Sequence, residues 1–241
     1  MKKTNYNKKD KSYMPIIEHF TELRERILVS LLVFIVTLTI SITYSKQITF
    51  VLQEPATGIK FLQLAPGEYL FVSIKIGVYS ALLASSPFSL YQILLFILPG
   101  LTKKESSYII PISIGSIILF FCGIIFGYKI LIPITLKFLI NYGSDIVEPI
   151  WSFEEYFNFI IVLLFSVGVS FQIPILQIIL GITNIINKER MLQSWKYIAF
   201  IATIIGAIIT PSTDPITQSL MTMIILLLYF SGILTLTVIQ K

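Results

Sequence analysis

The stretch Ile27-Leu-Val-Ser-Leu-Leu-Val-Phe-Ile-Val-Thr-Leu-Thr-Ile-Ser-Ile-Thr-Tyr44 decides the fold class. It runs for 18 residues without a charge. A bilayer core asks for about 20 mostly apolar residues, and only a helix satisfies every backbone amide within such a segment. Outward from it, five further segments have the same character: Tyr69 to Leu98, Tyr108 to Ile132, Phe157 to Leu180, Leu192 to Ile209 and Ile216 to Ile239. The expected fold is an all-α membrane protein of six transmembrane helices. Residues 1–241 form a single integral membrane domain, with a basic tail and interfacial helix over 1–26 and the helix bundle over 27–239. Composition agrees, since 55% hydrophobic and 13% charged residues among 241 leave too little polar surface for an ordinary soluble globule.

The fifth segment is the weak one. Its apolar heart, Tyr197 to Ile209, is 13 residues, or roughly 20 Å of helix against a hydrocarbon thickness of roughly 30 Å. Thr210-Pro211-Ser212-Thr213-Asp214-Pro215 then makes a tight turn, in which two prolines lack donors and Ser, Thr and Asp can cap the next helix. An antiparallel hairpin follows from this, and two short helices there would tilt or thin the bilayer.

The net charge of +5 is best read as topology. Thirteen Lys and Arg fall in the tail and the loops on its side of the membrane, and four in the opposite loops, so both termini face the inside. The lysines are dispersed and no aromatic-basic reading surface accompanies them, which argues against nucleic acid. Five lysines precede position 12, but no small-residue cleavage site follows the first apolar run, so no removable signal or transit peptide is expected. Ile occurs 46 times against 7 Ala, and Lys 15 times against 3 Arg, a bias that fits an AT-rich genome such as an organelle's.

Chemistry-bearing residues are sparse. No phosphate loop, nucleophile set, HExxH motif or paired carboxylates are present, so neither an enzyme nor a bound cofactor is expected. One cysteine, Cys122, reads as a small packing residue, and one histidine with no second histidine or thiol makes a metal site improbable. From Pro15 to Ile27, apolar Ile16, Ile17, Phe20, Leu23 and Ile27 share a helical face, giving an interfacial helix into the first span. On it Glu22 and Arg26 form an i, i+4 pair, and His19 reads as a solvated amphipathic residue. Glu105, after Lys103 and Lys104, is a carboxylate on a basic face; it can start a helix or capture a guanidinium. Within spans, Lys75 faces protein or water and Gln172 can hydrogen-bond another helix or a polar passenger. Prolines 87, 111 and 174 are expected to kink their helices.

Several segments, in order, resemble the TatC family of the twin-arginine protein translocase. They are His19-Phe-Thr-Glu-Leu-Arg-Glu-Arg26, Pro87-Phe-Ser-Leu-Tyr-Gln92 leading to Phe96 through Leu101 and Glu105, Gly123-Ile-Ile-Phe-Gly-Tyr128, Phe171-Gln-Ile-Pro174, and Thr210-Pro-Ser-Thr-Asp214 followed by Gln218. The resemblance implies a glove-shaped protein with a concave face and short last two helices. It implies recognition of Arg-Arg signal peptides on folded precursors and, with single-span partners, their gradient-driven transport. By carry-over, Glu22 and Glu105 contact the Arg-Arg pair, Leu23, Arg24, Phe96 and Pro99 shape the surrounding inner surface, and Gln172 lies near the signal's apolar part. Thr210 and Gln218 belong to a polar cluster where subunits resembling TatA and TatB dock, and self-association in a receptor complex is implied. The implied location is a plastid thylakoid membrane with both termini in the stroma, or a bacterial inner membrane. Departures from the family pattern are Ser106 after Glu105, an amide at Gln172, and Tyr229-Phe230 without a following acid. The rival from another class is a small-molecule or ion transporter, for which Lys75 is the main sequence support.

Overall fold

The computed structural model describes residues 16–97, 109–143, 148, 150–209 and 215–240, and nearly all of them are helical. The first helix, α1 (Ile16–Thr43), takes the amphipathic stretch and the first span in one continuous piece of 28 residues. The interfacial helix expected to lead into the first span is continuous with it and forms its inner end. Its apolar face is turned outward at Ile17, Phe20 and Ile27, while Leu23 is half-buried. A short α2 (Ser45–Gln53), a 3-10 turn over Glu54–Ala56 and strand β1 (Lys60–Leu62) lie between the first two spans. The second span is α3 (Glu68–Ile97), which carries Pro87 inside it without interruption.

The third span is longer than its apolar run suggested. Helix α4 (Ile109–Phe126) passes through one π turn, Gly127–Leu131, into α5 (Ile132–Gly143). The Ile132 amide donates to Gly127 O, five residues back, which widens the helix by one residue without breaking it. Pro111 lies in the first described turn of α4. Strand β2 (Ile150–Ser152) leads into α6 (Phe153–Ser170), and a break at Phe171-Gln172 ahead of Pro174 separates this from α7 (Ile173–Ile182). Two further helices, α8 (Lys188–Gln193) and α9 (Trp195–Ile209), precede the last, α10 (Pro215–Ile239).

Among the described residues, five helical segments are long and apolar enough to cross a membrane, and α9 is a further, shorter apolar helix. Its 15 residues make roughly 22 Å. The expectation of two short final helices is met by α9 alone, since α10 has 25 residues. The two still form the expected antiparallel hairpin, with Gln218 Nε2 donating to Thr203 O at 3.2 Å.

Burial grades across the bundle. In the most apolar window of the α6–α7 span 61% of residues are buried, against 6% for α1, so α6 is the central post and α1 an outer one. Phe157, Ile160 and Leu163 of that post are sealed from the surface, as are Phe120, Leu131 and Ile132 of the third span. The outer helix α1 is held chiefly by α3. Near its outer end the two backbones nearly touch: a side chain placed on Gly77 would sit 3.3 Å from Ile42 Cα. Most other large apolar side chains point outward, as lipid-facing surfaces do. Cys122 is among the exposed residues, which corrects its reading as a packing residue.

The outer side carries a cap that hydropathy did not predict. Strands β1 and β2 pair in parallel, Lys60 with Ile150 and Leu62 with Ser152, so the two outer loops are joined. Phe61 packs its ring 4.8 Å from that of Tyr156, whose hydroxyl donates to Leu52 O at 2.7 Å. The buried Glu68 carboxylate accepts from the amides of Leu64 at 2.6 Å, Ala65 at 3.0 Å and Glu154 at 2.9 Å. It thereby stitches the start of α3 to the start of α6, where a negative charge also suits both helix dipoles. Lys75 meets Glu154 at 2.5 Å and Asn158 at 3.3 Å, so it faces protein at the capped end.

Candidate functional site

The inner ends of α1 and α3 gather most of the described residues singled out for recognition. Glu22 and Arg26 are one turn apart on α1, and the Arg26 guanidinium bonds Glu22 Oε1 through both Nε, at 3.0 Å, and Nη2. Its remaining arm, Nη1, donates to Gln92 Oε1 on α3 at 3.1 Å. The second carboxylate oxygen, Glu22 Oε2, is buried and has no hydrogen-bond partner among the described residues. Such an oxygen is an acceptor whose desolvation is uncompensated, so a donor brought to it would be bound strongly.

Beneath this network lies an apolar groove of about 390 Å³ between α1 and α3, with Leu23, Arg26, Gln92 and Phe96 in its wall. His19 stacks on Phe96, the ring centroids 4.2 Å apart and the planes 19° from parallel. This corrects the solvated reading of His19, because a residue on the inner turn of α1 can reach the last turns of α3 when the two helices pack side by side. Arg24 is exposed beside them. Glu105 and Pro99, assigned to the same surface, lie outside the described residues.

At the other end of the chain, Gln218 lines a second groove of about 590 Å³ with Thr203, Thr222 and Phe230. Gly206 makes this crossing close, since a side chain there would meet Gln218 O at 3.1 Å. Thr210, expected in the same polar cluster, lies outside the described residues.

The family described as Sec-independent protein translocase protein (TatC) matches residues 18–223, which contain both the Glu22 network and Gln218. The chain belongs to the TatC family. It is 64% identical over 95% of its length to an uncharacterised TatC-like protein ycf43 of Gracilaria tenuistipitata var. liui, covering 96% of that protein. It is 44% identical over 92% of its length to the chloroplastic Sec-independent protein translocase protein TATC of Pisum sativum, covering 64% of that longer chain. Its structure matches a crystal structure titled twin arginine translocase receptor TatC with a TM-score of 0.83 and 33% identity, over 92% of this chain and all of the other. This TatC protein is thus an integral membrane protein and a subunit of a Sec-independent translocase, a transport component and not an enzyme.

Gln172 has a different place in this TatC chain from that given it by carry-over. It is buried at the α6–α7 break, where its Nε2 donates to Ser116 O at 3.2 Å and its Oε1 accepts from Ser116 Oγ at 2.6 Å. Both ends of the amide are engaged by α4, which matches the helix-to-helix alternative read from the sequence. Gln92 is the residue that sequence reasoning quoted without giving it a role. Its partner Arg26 is 66 positions away, and no local pattern signals a contact at that separation.

Proposed function

We propose that this translocase subunit reads the Arg-Arg pair of signal peptides carried by folded precursor proteins, with Glu22 and Glu105 as the receiving carboxylates. Leu23, Arg24, Phe96 and Pro99 form the surrounding inner surface. The observation that supports this reading most directly is Glu22 Oε2, a buried acceptor without a partner among the described residues, whose ion-pair partner Arg26 lines an apolar groove. A guanidinium supplies planar donors to such an oxygen, and the apolar segment that follows the arginines in a signal suits the groove. Gln172 is left out of this surface because Ser116 occupies both ends of its amide.

Single-span subunits resembling TatA and TatB dock, in this reading, at the polar cluster of Thr210 and Gln218. The groove beside Gln218, mostly apolar with Leu226 and Phe230 in its wall and with hydroxyls at Thr203, Ser219 and Thr222, suits a transmembrane helix with one polar residue. The chain then works as part of a self-associated receptor complex whose transport step draws on the membrane gradient. A thylakoid location, with both termini in the stroma, is supported by the loop charges and by the chloroplastic relative.

The test is a photo-cross-linker at position 23, in the groove wall next to Glu22, challenged in membranes with otherwise identical Arg-Arg and Lys-Lys signal peptides. Labelling of the Arg-Arg peptide well above the Lys-Lys peptide is expected, with a fall in both Glu22→Ala and Glu105→Ala backgrounds. Equal labelling of the two peptides, or none, overturns the assignment.

A further inference from the structure

Within the chain itself Glu22 already has a guanidinium. A carboxylate and an arginine in their most favourable arrangement share two parallel bonds, one to each oxygen. Here Nε and Nη2 of Arg26 both turn to Oε1, and Oε2 is left over. Gln92 accounts for the offset: it draws Nη1 toward α3 at 3.1 Å and so fixes the plane of the guanidinium. Both side chains of the pair are mostly sheltered, at 23% and 20% exposure, so the arrangement is screened less than a pair on an open surface.

The consequence is electrostatic. Glu22 is compensated in charge yet still one donor short. We propose that Arg26, held in place by Gln92, is the specificity-determining residue of the recognition site: it cancels the charge of Glu22 so that the free oxygen accepts a guanidinium and rejects an ammonium. This inference rests on the reading of Glu22 as a receiver of signal-peptide arginine.

The physical reason lies in what each cation needs. An ammonium is a compact, strongly hydrated point charge, and only net negative charge offsets the loss of its water. A compensated pair offers little of that. A guanidinium is less strongly hydrated, planar, and able to bond the free oxygen while its face lies on a ring such as Phe96, which lines the same groove as Arg26. Take Arg26 away and Glu22 becomes a bare carboxylate that attracts either cation.

The experiment measures binding of fluorescent Arg-Arg and Lys-Lys signal peptides to the full-length chain in nanodiscs, comparing wild type with Arg26→Gln, Arg26→Lys and Gln92→Leu. Removing a like charge a few ångströms from the incoming cation should raise Lys-Lys affinity on the order of tenfold in Arg26→Gln and lower the Arg-Arg preference accordingly. Arg26→Lys keeps the compensating charge and should keep the preference. Gln92→Leu frees the guanidinium to turn and should lose part of it, and it decides the matter if Arg26→Gln does not fold. An unchanged preference in folded Arg26→Gln overturns this inference alone, as does equal loss of both peptides. Failure of wild type to prefer Arg-Arg overturns the recognition reading and this inference with it.

Discussion

Gln172, at the break between α6 and α7, and Ser116 of α4 exchange two hydrogen bonds, one from each side chain, and so close an amide in the bundle interior onto a single serine. Gln172→Ala should therefore act on stability. A hydrogen bond between helices in a membrane is worth about 0.6 kcal/mol and at most about 1.7, so a loss of about 1 kcal/mol is expected in reversible unfolding in detergent. Signal-peptide cross-linking should persist. Unchanged stability with lost cross-linking would return the residue to the binding surface.

A second prediction concerns the crossing of α7 and α10. A methyl group on Gly232 would run into Gln177 Oε1 and lie 2.8 Å from Pro174 Cα, which is backbone and does not yield. Gly232→Ala should cost about 1–3 kcal/mol by overpacking. Gly115→Ala, whose added carbon would meet nothing nearer than 3.8 Å, should be neutral or slightly stabilising. Comparing thermal midpoints of the two variants tests the pair, and equal values would refute the close crossing.

The outer cap should loosen when its carboxylate is removed. Glu68→Ala leaves the amides of Leu64, Ala65 and Glu154 without their acceptor, so their hydrogen exchange should quicken and outer-loop proteolysis should rise. Inner-surface residues such as Gln92 should exchange as before. Protection unchanged at all three amides would count against the stitch between α3 and α6.

Lys75 and Glu154 should be weakly coupled despite their 2.5 Å approach. Each is 42% exposed, and pairs of that kind give about 0.2–1 kcal/mol in double-mutant cycles. Lys75→Met with Glu154→Gln supplies the cycle. A coupling several times larger would mark a dry intramembrane ion pair and reopen the transporter reading.

How far the sequence carried depended on the distance over which each feature is set. The run Ile27 to Tyr44 specified its helix alone, because an uncharged stretch of that length leaves the backbone one way to satisfy itself in hydrocarbon. Glu22 with Arg26 was readable from a spacing of four. Gln92 was not, since its contact with Arg26 depends on how α1 packs on α3. The same holds for the cap: the amide of Glu154 meets Glu68 across 86 positions, and strands of three residues carry too little periodicity to announce their pairing. His19 misled because its polar character outweighed, on paper, a ring partner on another helix. Hydropathy also ended the third span at Ile132, although the helix continues to Gly143.

The close approach of Ile42 to Gly77 gives the long outer helix a fulcrum. Because α1 is unbroken from Ile16 to Thr43, a rotation about that point is carried rigidly to the opposite end. Twenty residues separate Ile42 from Glu22, a lever arm of roughly 30 Å, so a tilt of about 5° would move the Glu22 end by about 2.6 Å. That stroke is close to half the width of a methylene chain, applied where α1 and α3 border their groove, while the capped end stays still. A small swing of one stiff rod thus changes the width of that groove with no unfolding and no hinge within α1.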